Sequence, residues 1–314
     1  MRIIFLGSAG FAVPSLEMLI DSKHEISCVV TQPDRKKGRG QKISPVAVKQ
    51  AAIERAIEVF SPEDINAAES VSLLKSKKAD LFIVIAYGQI LSQEILDIPK
   101  VMPINLHASL LPAYRGAAPI NWAIINQERT TGVTVMKITL KMDSGPVILK
   151  QEIKILDSDN AMSLSEKLSL EGSRLLSRAL DLISSGKYDL LPQDDKKASY
   201  APKLKKSHGQ INWEKSAEEI SHLIRGCLPW PTAFTYLKGH LLKIEQAQAV
   251  HCVSKRADLA FGAVEAITKD GILVKCGMGC LLIKKLKPEG KRLMSSAEFT
   301  AGHKLIVGDI FSVT

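Results

Sequence analysis

The first half of the chain alternates short apolar runs with helical stretches. The apolar runs predict β-strands at residues 2–6, 26–31, 58–60, 80–86, 102–106, 132–139 and 146–155. Helices are predicted over 11–21 and 160–185, from 119, and after the serine-proline pairs at Ser44 and Ser61, where serine can cap and proline can occupy the first turn. Run 80–86 is continuously apolar, which is typical of a strand buried on both faces. This alternation predicts a Rossmann-like, mostly parallel sheet covered by helices.

The pattern changes after residue 189. Residues 190–208 are polar, mixed in charge and contain two prolines, a composition typical of a linker. Ser216 and Glu219 have the spacing of a capping box that opens a helix to about residue 227. Short apolar runs then recur at 233–237, 241–249, 261–268, 272–275 and 280–286. We therefore predict an α/β domain at 1–189, a linker at 190–208 and a small, OB-like β-barrel at 209–314.

The composition is that of a folded globular protein. Of 314 residues, 46% are hydrophobic and 24% charged, and no apolar run reaches the length of a membrane-spanning helix. The N-terminus lacks the basic region and the cleavage site of a signal peptide. The five cysteines include no C-x-x-C pair, so each is predicted to be a buried hydrophobe. We expect a cytoplasmic protein without a metal and without membrane contact.

The net charge of +9 is distributed unevenly. Residues 190–314 carry an excess of seven positive charges, and residues 1–189 an excess of two. Such a concentration favours a polyanionic partner, although a basic surface kept for solubility explains it about as well. Residues 35–42 also place five cations in eight positions. By charge alone, this segment is predicted to be a solvated loop.

Candidate chemistry lies at the end of the strand predicted at 102–106. Asn105 and His107 are two residues apart, so their side chains leave the strand on the same face. Ligands of open α/β sheets bind beyond the carboxyl ends of the strands. Asp143 lies in a turn between two predicted strands and is expected to approach His107 there. An amide, an imidazole and a carboxylate suit attack on a carbonyl without a covalent enzyme intermediate. Ser109 lacks the flanking glycines of a nucleophile elbow.

These residues lie in a motif that resembles the signature of the folate-dependent formyltransferases. The motif is His107-Ala-Ser-Leu-Leu-Pro112 with Arg115-Gly116, preceded by Asn105 and followed by Asp143-Ser-Gly-Pro146. Further stretches are similar to the members that act on initiator methionyl-tRNA, and they are Gln32-Pro-Asp-Arg35 with Gly38-Arg-Gly40, Ala86-Tyr-Gly88, Tyr200-Ala-Pro-Lys-Leu204, and Arg225-Gly226 with Pro229-Trp-Pro231. The resemblance covers essentially the whole chain.

The resemblance implies a reaction and its substrates. The formyl donor would be 10-formyltetrahydrofolate, consumed as a co-substrate, and the acceptor would be the α-amine of methionine on initiator tRNA. The product, N-formylmethionyl-tRNA, serves translation initiation. Carried over by motif, the catalytic residues would be Asn105, His107 and Asp143. Residues implied to contact the folate are Ser109, Leu110, Leu111, Pro112, Tyr87 and Gly88.

The basic segments would contact the tRNA. The resemblance implies that the loop at 35–42 wedges into the acceptor stem, with Arg39 between two flexible glycines as the main contact. Phosphate-binding candidates from this loop and from the second half are Arg35, Lys36, Lys37, Arg39, Lys42, Lys203, Lys205, Lys206 and Arg225. Nothing in the sequence requires a dimer, so we expect a monomer.

Two positions depart from the family pattern. Ser8-Ala9-Gly10 lacks the acidic residue of the family's usual first turn, and Asn212 replaces an aspartate. Three alternatives remain: a formyltransferase for a small amine, which would not need residues 190–314; an RNA-binding protein without catalysis; and a hydrolase of formyl-folate, in which water replaces the amine.

Overall fold

A computed structural model describes residues 1–37, 42–251 and 259–314. Within these ranges the chain divides into two compact units. Unit 1 comprises Met1–Pro119, Thr130–Lys154 and Ser165–Ala201, and unit 2 comprises Ile120–Arg129, Ile155–Leu164 and Pro202–Thr314. Two short segments that precede residue 190, Ile120–Arg129 and Ile155–Leu164, therefore belong to unit 2 with the C-terminal part of the chain.

Unit 1 is an α/β unit. Its strands are β1 (Arg2–Gly7), β2 (Glu25–Val30), β3 (Arg35–Lys37), β4 (Lys42–Ser44), β5 (Val59–Phe60), β6 (Leu81–Ile85), β7 (Met102–His107), β8 (Thr130–Lys137) and β9 (Val147–Lys154). Its helices are α1 (Val13–Ile20), α2 (Ala47–Glu54), α3 (Ala68–Ser76) and α4 (Gln93–Leu96). Helices α5 (Pro119–Ile125) and α6 (Ala161–Ser185) contribute residues to both units.

The main sheet of unit 1 is mostly parallel, as predicted. Among the described residues, its strand order is β5-β2-β1-β6-β7-β8-β9. The four pairs from β5 to β7 are parallel, whereas β7-β8 and β8-β9 are antiparallel. All five residues of β6 are buried, as its uninterrupted apolar run indicates. The carboxyl ends of β2, β1, β6 and β7 meet at one edge, where ligands of such sheets bind.

The helix starts predicted at the two serine-proline pairs are wrong. Ser44 belongs to β4, which pairs with β3, and α2 begins only at Ala47. The hydroxyl of Ser61 forms a 2.8 Å hydrogen bond with that of Thr31, and α3 begins at Ala68. A residue before proline is pushed towards extended backbone. Extended backbone before proline is compatible with the end of a strand as well as with a helix cap. The contacts of Ser44 with β3 and of Ser61 with Thr31 decided against the helix cap at both positions.

Unit 2 contains an antiparallel sheet that curls into a barrel, as predicted. Its strands are β10 (Ala233–Leu237), β11 (His240–Val250), β12 (Val264–Thr268), β13 (Gly271–Lys275), β14 (Cys280–Pro288), β15 (Met294–Ser295) and β16 (Phe311–Ser312), and its helices are α7 (Ala217–Gly226) and α8 (Ser296–Gly302). The order is β12-β13-β14-β11-β10-β16. Phe311 pairs with Leu237 of β10, and its N–H also donates to the Gly262 carbonyl before β12 at 2.8 Å. This bond joins the two ends of the sheet.

The four described cysteines are buried, as predicted: Cys28, Cys227, Cys276 and Cys280. Burial raises the pKa of the Cys28 thiol to about 11. Cys28, Cys227 and Cys276 are free thiols, whereas Cys280 is disulfide-bonded, which the sequence did not predict. Cys252 lies outside the described residues. In the described part of the chain, no three His, Cys, Asp or Glu side chains are grouped as metal ligands, and no helix there is both long and apolar enough to cross a bilayer.

The capping box predicted at Ser216 is present and gives a stability test. The Ser216 hydroxyl accepts from the Glu219 N–H at 3.2 Å, and the Glu219 carboxylate accepts from the Ser216 N–H at 2.9 Å. Ser216→Ala leaves one helix donor unpaired, so it should lower the free energy of unfolding by about 1 kcal/mol in urea titrations at pH 7. Ser72→Ala, which changes an exposed serine of α3, is the control. An unchanged urea midpoint for Ser216→Ala would contradict the assigned cap.

The same box predicts a pH dependence. The pKa of Glu219 is held below its usual value of 4.5, mainly by the hydrogen bond from the Ser216 N–H and next by the hydrogen bond from the Lys215 side chain. A carboxylate whose pKa is depressed by folding contributes stability above its unfolded pKa and loses that contribution as the pH falls through the folded value. The stability difference between the native chain and Glu219→Gln should therefore shrink on acidification below pH ~4.5.

Candidate active site

Asn105 and His107 lie on β7, where the parallel part of the sheet meets the antiparallel part. Asn105 sits between Val84 of β6 and Met136 of β8, and His107 pairs with Thr134 of β8. The two side chains share one face of the sheet, as their spacing predicts. His107 is 6% exposed, and Asn105 is partly buried. Strand register thus places an amide and an imidazole side by side at the end of β7.

Asp143 approaches His107 from the loop between β8 and β9. Its Oδ2 lies 3.7 Å from His107 Nδ1 and accepts a 2.8 Å hydrogen bond from the Gly116 N–H. Asp143 has a φ of 49°, in the left-handed region that aspartate tolerates better than most residues. A backbone donor and an unusual backbone angle therefore aim the carboxylate at the ring. The structure brings these two predicted residues together.

The second nitrogen of His107 is also held. Nε2 lies 3.0 Å from the carbonyl oxygen of Tyr114. Because a carbonyl only accepts, Nε2 must carry a proton and donate it. Nδ1 is then the nitrogen that faces Asp143. The sequence analysis missed Tyr114 because the residue acts through its backbone carbonyl, which every residue type has.

The loop after β7 contains four of the residues implied to contact folate. The Ser109 hydroxyl is buried and donates to the Ala113 carbonyl at 2.6 Å. Leu111 is 1% exposed and packs with apolar residues of β8 and β9. Leu110 and Pro112 are partly exposed. In this set, Leu110 and Pro112 present accessible side chains, whereas Ser109 and Leu111 fix the loop from inside.

The other two folate candidates follow β6 at the same sheet edge. Tyr87 is 2% exposed, and burial raises the pKa of its hydroxyl above the usual range. Gly88 is exposed. Ser8, in the first turn that departs from the family pattern, donates its hydroxyl to the Tyr87 carbonyl at 3.0 Å and accepts from the Gln32 N–H at 2.9 Å. A hydroxyl thus ties together the ends of β1, β2 and β6.

Arg115 connects the signature loop to a residue that the sequence did not single out. Its side chain is 1% exposed and donates to Gln193 Oε1 through Nε at 3.1 Å and Nη2 at 2.8 Å. Nη2 also pairs with Asp195 at 2.8 Å. Gln193 Nε2 in turn donates to the carbonyls of Asp143 and Gly145. Gln193 falls in the segment predicted to be a linker, where no local pattern indicates a role.

The predicted tRNA-binding residues lie in both units. In unit 1, Arg35, Lys36 and Lys37 form β3 and Lys42 begins β4, whereas Arg39 lies outside the described residues. In unit 2, Lys203, Lys205 and Lys206 are exposed. Arg225 donates to the Asp159 carbonyl at 2.6 Å, and burial lowers its pKa. Part of the Arg225 guanidinium is therefore committed to the chain itself, and its contact with tRNA stays a prediction.

Two family models match the chain. The model described as formyl transferase covers residues 1–180, and the formyl transferase C-terminal domain covers residues 203–304. The methionyl-tRNA formyltransferase of Acetivibrio thermocellus is 44% identical over 310 residues, which is 99% of each chain. That of Geobacter metallireducens is 43% identical over 308 residues, which is 98% of this chain and 97% of the relative.

Solved structures show the same fold at lower identity. The sugar 3N-formyl transferase WlaRD, in the presence of dTDP and 5-N-formyl-THF, has a TM-score of 0.68 at 20% identity, covering 93% of this chain and 99% of its own. HypX from Aquifex aeolicus, in complex with tetrahydrofolic acid, has a TM-score of 0.63 at 18% identity; the match covers 95% of this chain but only 46% of HypX. A methionyl-tRNA formyltransferase from Clostridium thermocellum has a TM-score of 0.55 at 15% identity, covering 80% and 94%.

Proposed function

The chain belongs to the methionyl-tRNA formyltransferases, and we propose that the formyl group it transfers comes from 10-formyltetrahydrofolate. The enzyme formylates methionyl-tRNA for translation initiation, with a folate as co-substrate. The proposed acceptor atom is the α-amine of methionine on initiator tRNA. The activity is that of a one-carbon transferase.

One observation carries the proposed catalytic set. His107 and Asp143, 36 positions apart in the chain, meet with 3.7 Å between Nδ1 and Oδ2, and Asn105 lies two positions before His107 on the same face of β7. Tyr114 and Gly116 fix the imidazole and the carboxylate through backbone groups. An amide donor, an oriented imidazole and a carboxylate are the groups that amine attack on a formyl carbon needs.

The proposed mechanism assigns a task to each group. The neutral methionyl amine attacks the formyl carbon, a C–N bond forms, and the carbonyl oxygen becomes an oxyanion. Asn105 donates a hydrogen bond to that oxygen, and His107 bridges or protonates it through Nδ1, the nitrogen not engaged by Tyr114. Asp143 takes the amine proton, directly or through water. As the bond to the folate nitrogen breaks, the amine proton held by Asp143 passes to that nitrogen, directly or through water, and tetrahydrofolate leaves. The formyl carbonyl re-forms on the methionyl nitrogen, and any proton that the oxygen took from His107 returns to Nδ1.

The proposal extends to the architecture of the enzyme. The proposed domains are a catalytic domain at 1–189, a linker at 190–208 and a tRNA-binding domain at 209–314. The two family models leave residues 181–202 between them, and the first part of the linker, to Ala201, packs within unit 1. Exposed Lys203, Lys205 and Lys206 would bind tRNA phosphates. We further propose that the enzyme is a monomer and acts in the cytoplasm.

The test is a transfer assay with a labelled formyl donor. Label should pass from 10-formyltetrahydrofolate to charged initiator tRNA and not to uncharged tRNA. Release of labelled formate without acceptor would indicate a hydrolase, and transfer to a small amine would indicate the sugar or nucleotide class of formyltransferase. Binding of tRNA without transfer would leave only an RNA-binding protein.

The basic loop gives a separate prediction. Arg39→Ala should raise the KM for methionyl-tRNA about 10-fold, the size of one charge-assisted contact, and leave the KM for the folate unchanged. Lys23→Ala removes an exposed charge of the same unit and is the matched control. Equal increases in both KM values would show that Arg39 does not act in tRNA recognition.

A further inference from the structure

Building on that proposed function, we infer that Gln193 is a positioning residue for the transfer step, which holds Asp143 in its orientation towards His107. Gln193 lies after the last strand of unit 1, far in sequence from both residues. Its side-chain amide is the link between the Arg115 loop and the Asp143 turn.

The Gln193 amide uses all of its donors. Nε2 donates to the Asp143 carbonyl at 2.9 Å and to the Gly145 carbonyl at 2.7 Å. Oε1 accepts two hydrogen bonds from the buried Arg115 guanidinium. Among side chains, only an amide combines one nitrogen that donates two hydrogen bonds with a separate oxygen that accepts two. The residue type is therefore matched to the position, which a solvated linker residue would not be.

The Asp143 turn needs such a restraint. Asp143 has a positive φ, and such backbone angles persist only where the surroundings determine them. At Gly145, a Cβ would lie 1.8 Å from the Lys137 carbonyl oxygen, so the turn is pressed against the end of β8. Gln193 binds the carbonyls on either side of Ser144. Rotation of the Asp143 backbone, which would turn the carboxylate away from the imidazole, breaks one of these bonds.

The Arg115 loop links the same amide to the rest of the site. Three consecutive residues each form a different hydrogen bond. The Tyr114 carbonyl accepts from His107, and the Arg115 side chain donates to Gln193. The Gly116 N–H donates to the Asp143 carboxylate. The loop is held from its other side, because the Arg115 N–H donates to the Ser199 carbonyl at 2.8 Å. Imidazole, carboxylate and Gln193 are thus parts of one connected network.

An isosteric change separates the two functions of Gln193. In Gln193→Glu, the carboxylate still accepts from the Arg115 guanidinium and gains a charge pair with it, so the anchor to the loop is kept. The two donors to the turn are lost, and a carboxylate oxygen faces the carbonyl oxygens of Asp143 and Gly145 instead. The variant therefore releases the Asp143 turn without leaving a gap at this partly buried position.

The experiment measures single-turnover formyl transfer to methionyl-tRNA in the full-length chain, in four forms: native, Gln193→Glu, Asp143→Asn and the double variant. Gln193→Glu should slow transfer roughly 10- to 100-fold, the size expected for a small misplacement of a reacting group. The KM for the folate should stay unchanged. In the Asp143→Asn background the same substitution should have almost no further effect, because its target has already been removed. Gln151→Glu, on exposed β9, is the charge-matched control.

A purely structural role gives a different pattern. If Gln193→Glu slows transfer equally in both backgrounds, or leaves the native rate unchanged, the inference is overturned. Should this variant not fold, Gln193→Asn replaces it, since the shorter amide cannot reach the turn and the guanidinium together, and the two outcomes are interpreted in the same way. The proposed function is tested independently: Asp143→Asn with the native rate would overturn the catalytic set itself.

Discussion

Asp143→Asn should lower the rate of formyl transfer by roughly 10²–10⁴-fold, the range for loss of a positioned proton acceptor. The substitution is conservative in shape. Asparagine tolerates the positive φ at this position, and its side-chain oxygen can still accept from the Gly116 N–H. What disappears is the negative charge beside His107 Nδ1 and the capacity to take a proton from the amine. Single-turnover transfer with saturating folate measures the chemical step directly.

The control for this variant is Asp97→Asn, which removes an exposed carboxylate of unit 1. Thermal unfolding should be the same for Asp143→Asn and the native chain, because the fold keeps its hydrogen bond. A transfer rate within two- or threefold of native, with normal folate binding, would remove Asp143 from catalysis and leave it as a turn residue.

Asn105→Ala should lower kcat by about 10²–10³-fold, the effect of deleting one donor to a developing oxyanion. The KM for the folate should change little, because loss of a bond that forms fully only in the transition state lowers kcat and kcat/KM together. Steady-state kinetics at varied folate concentration distinguishes the two parameters. Asn105→Asp is a second, more specific variant. It keeps the shape of the side chain but places a negative charge against the oxyanion, so its kcat should be at least as low as that of Asn105→Ala.

A raised KM with native kcat would give Asn105 a different role, namely ground-state binding of the folate. Loss of activity together with a lowered unfolding temperature would indicate that the residue mainly supports the end of β7. The comparison with Asp143→Asn is informative as well, because the two residues approach the same reaction from different elements.

The region of the site could be located from the sequence because its signals are local. The buried run at 80–86 and the strand at 102–106 follow from hydrophobicity, and both are parallel strands of the sheet. The two-residue period of a strand is enough to put Asn105 and His107 on one face. The Ser216 capping box is equally local, and its two reciprocal bonds are present.

Features that depend on which other segment a residue meets in the fold were missed or misjudged. Ser44-Pro45 and Ser61-Pro62 each fit a helix start. In the structure, however, Ser44 pairs with β3, and the Ser61 hydroxyl forms a hydrogen bond with that of Thr31. Tyr114 holds His107 through a carbonyl, which every residue possesses. Gln193 has the sequence context of any polar linker residue, and only its hydrogen bonds to Arg115, Asp143 and Gly145 show its role.

The amino-acid order alone therefore determined most of the strands and helices, the class of both units, the basic bias of the second half and the residue types of the site. These follow from hydrophobicity, side-chain periodicity and motif, which act over a few neighbouring positions. Only the tertiary structure decided how closely Asp143 approaches the His107 ring, which ring nitrogen faces it, and that residues 190–201 bind the loops of the site. Those facts depend on contacts between separate segments of the chain, and such contacts exist only once the sheet has placed its strand ends together.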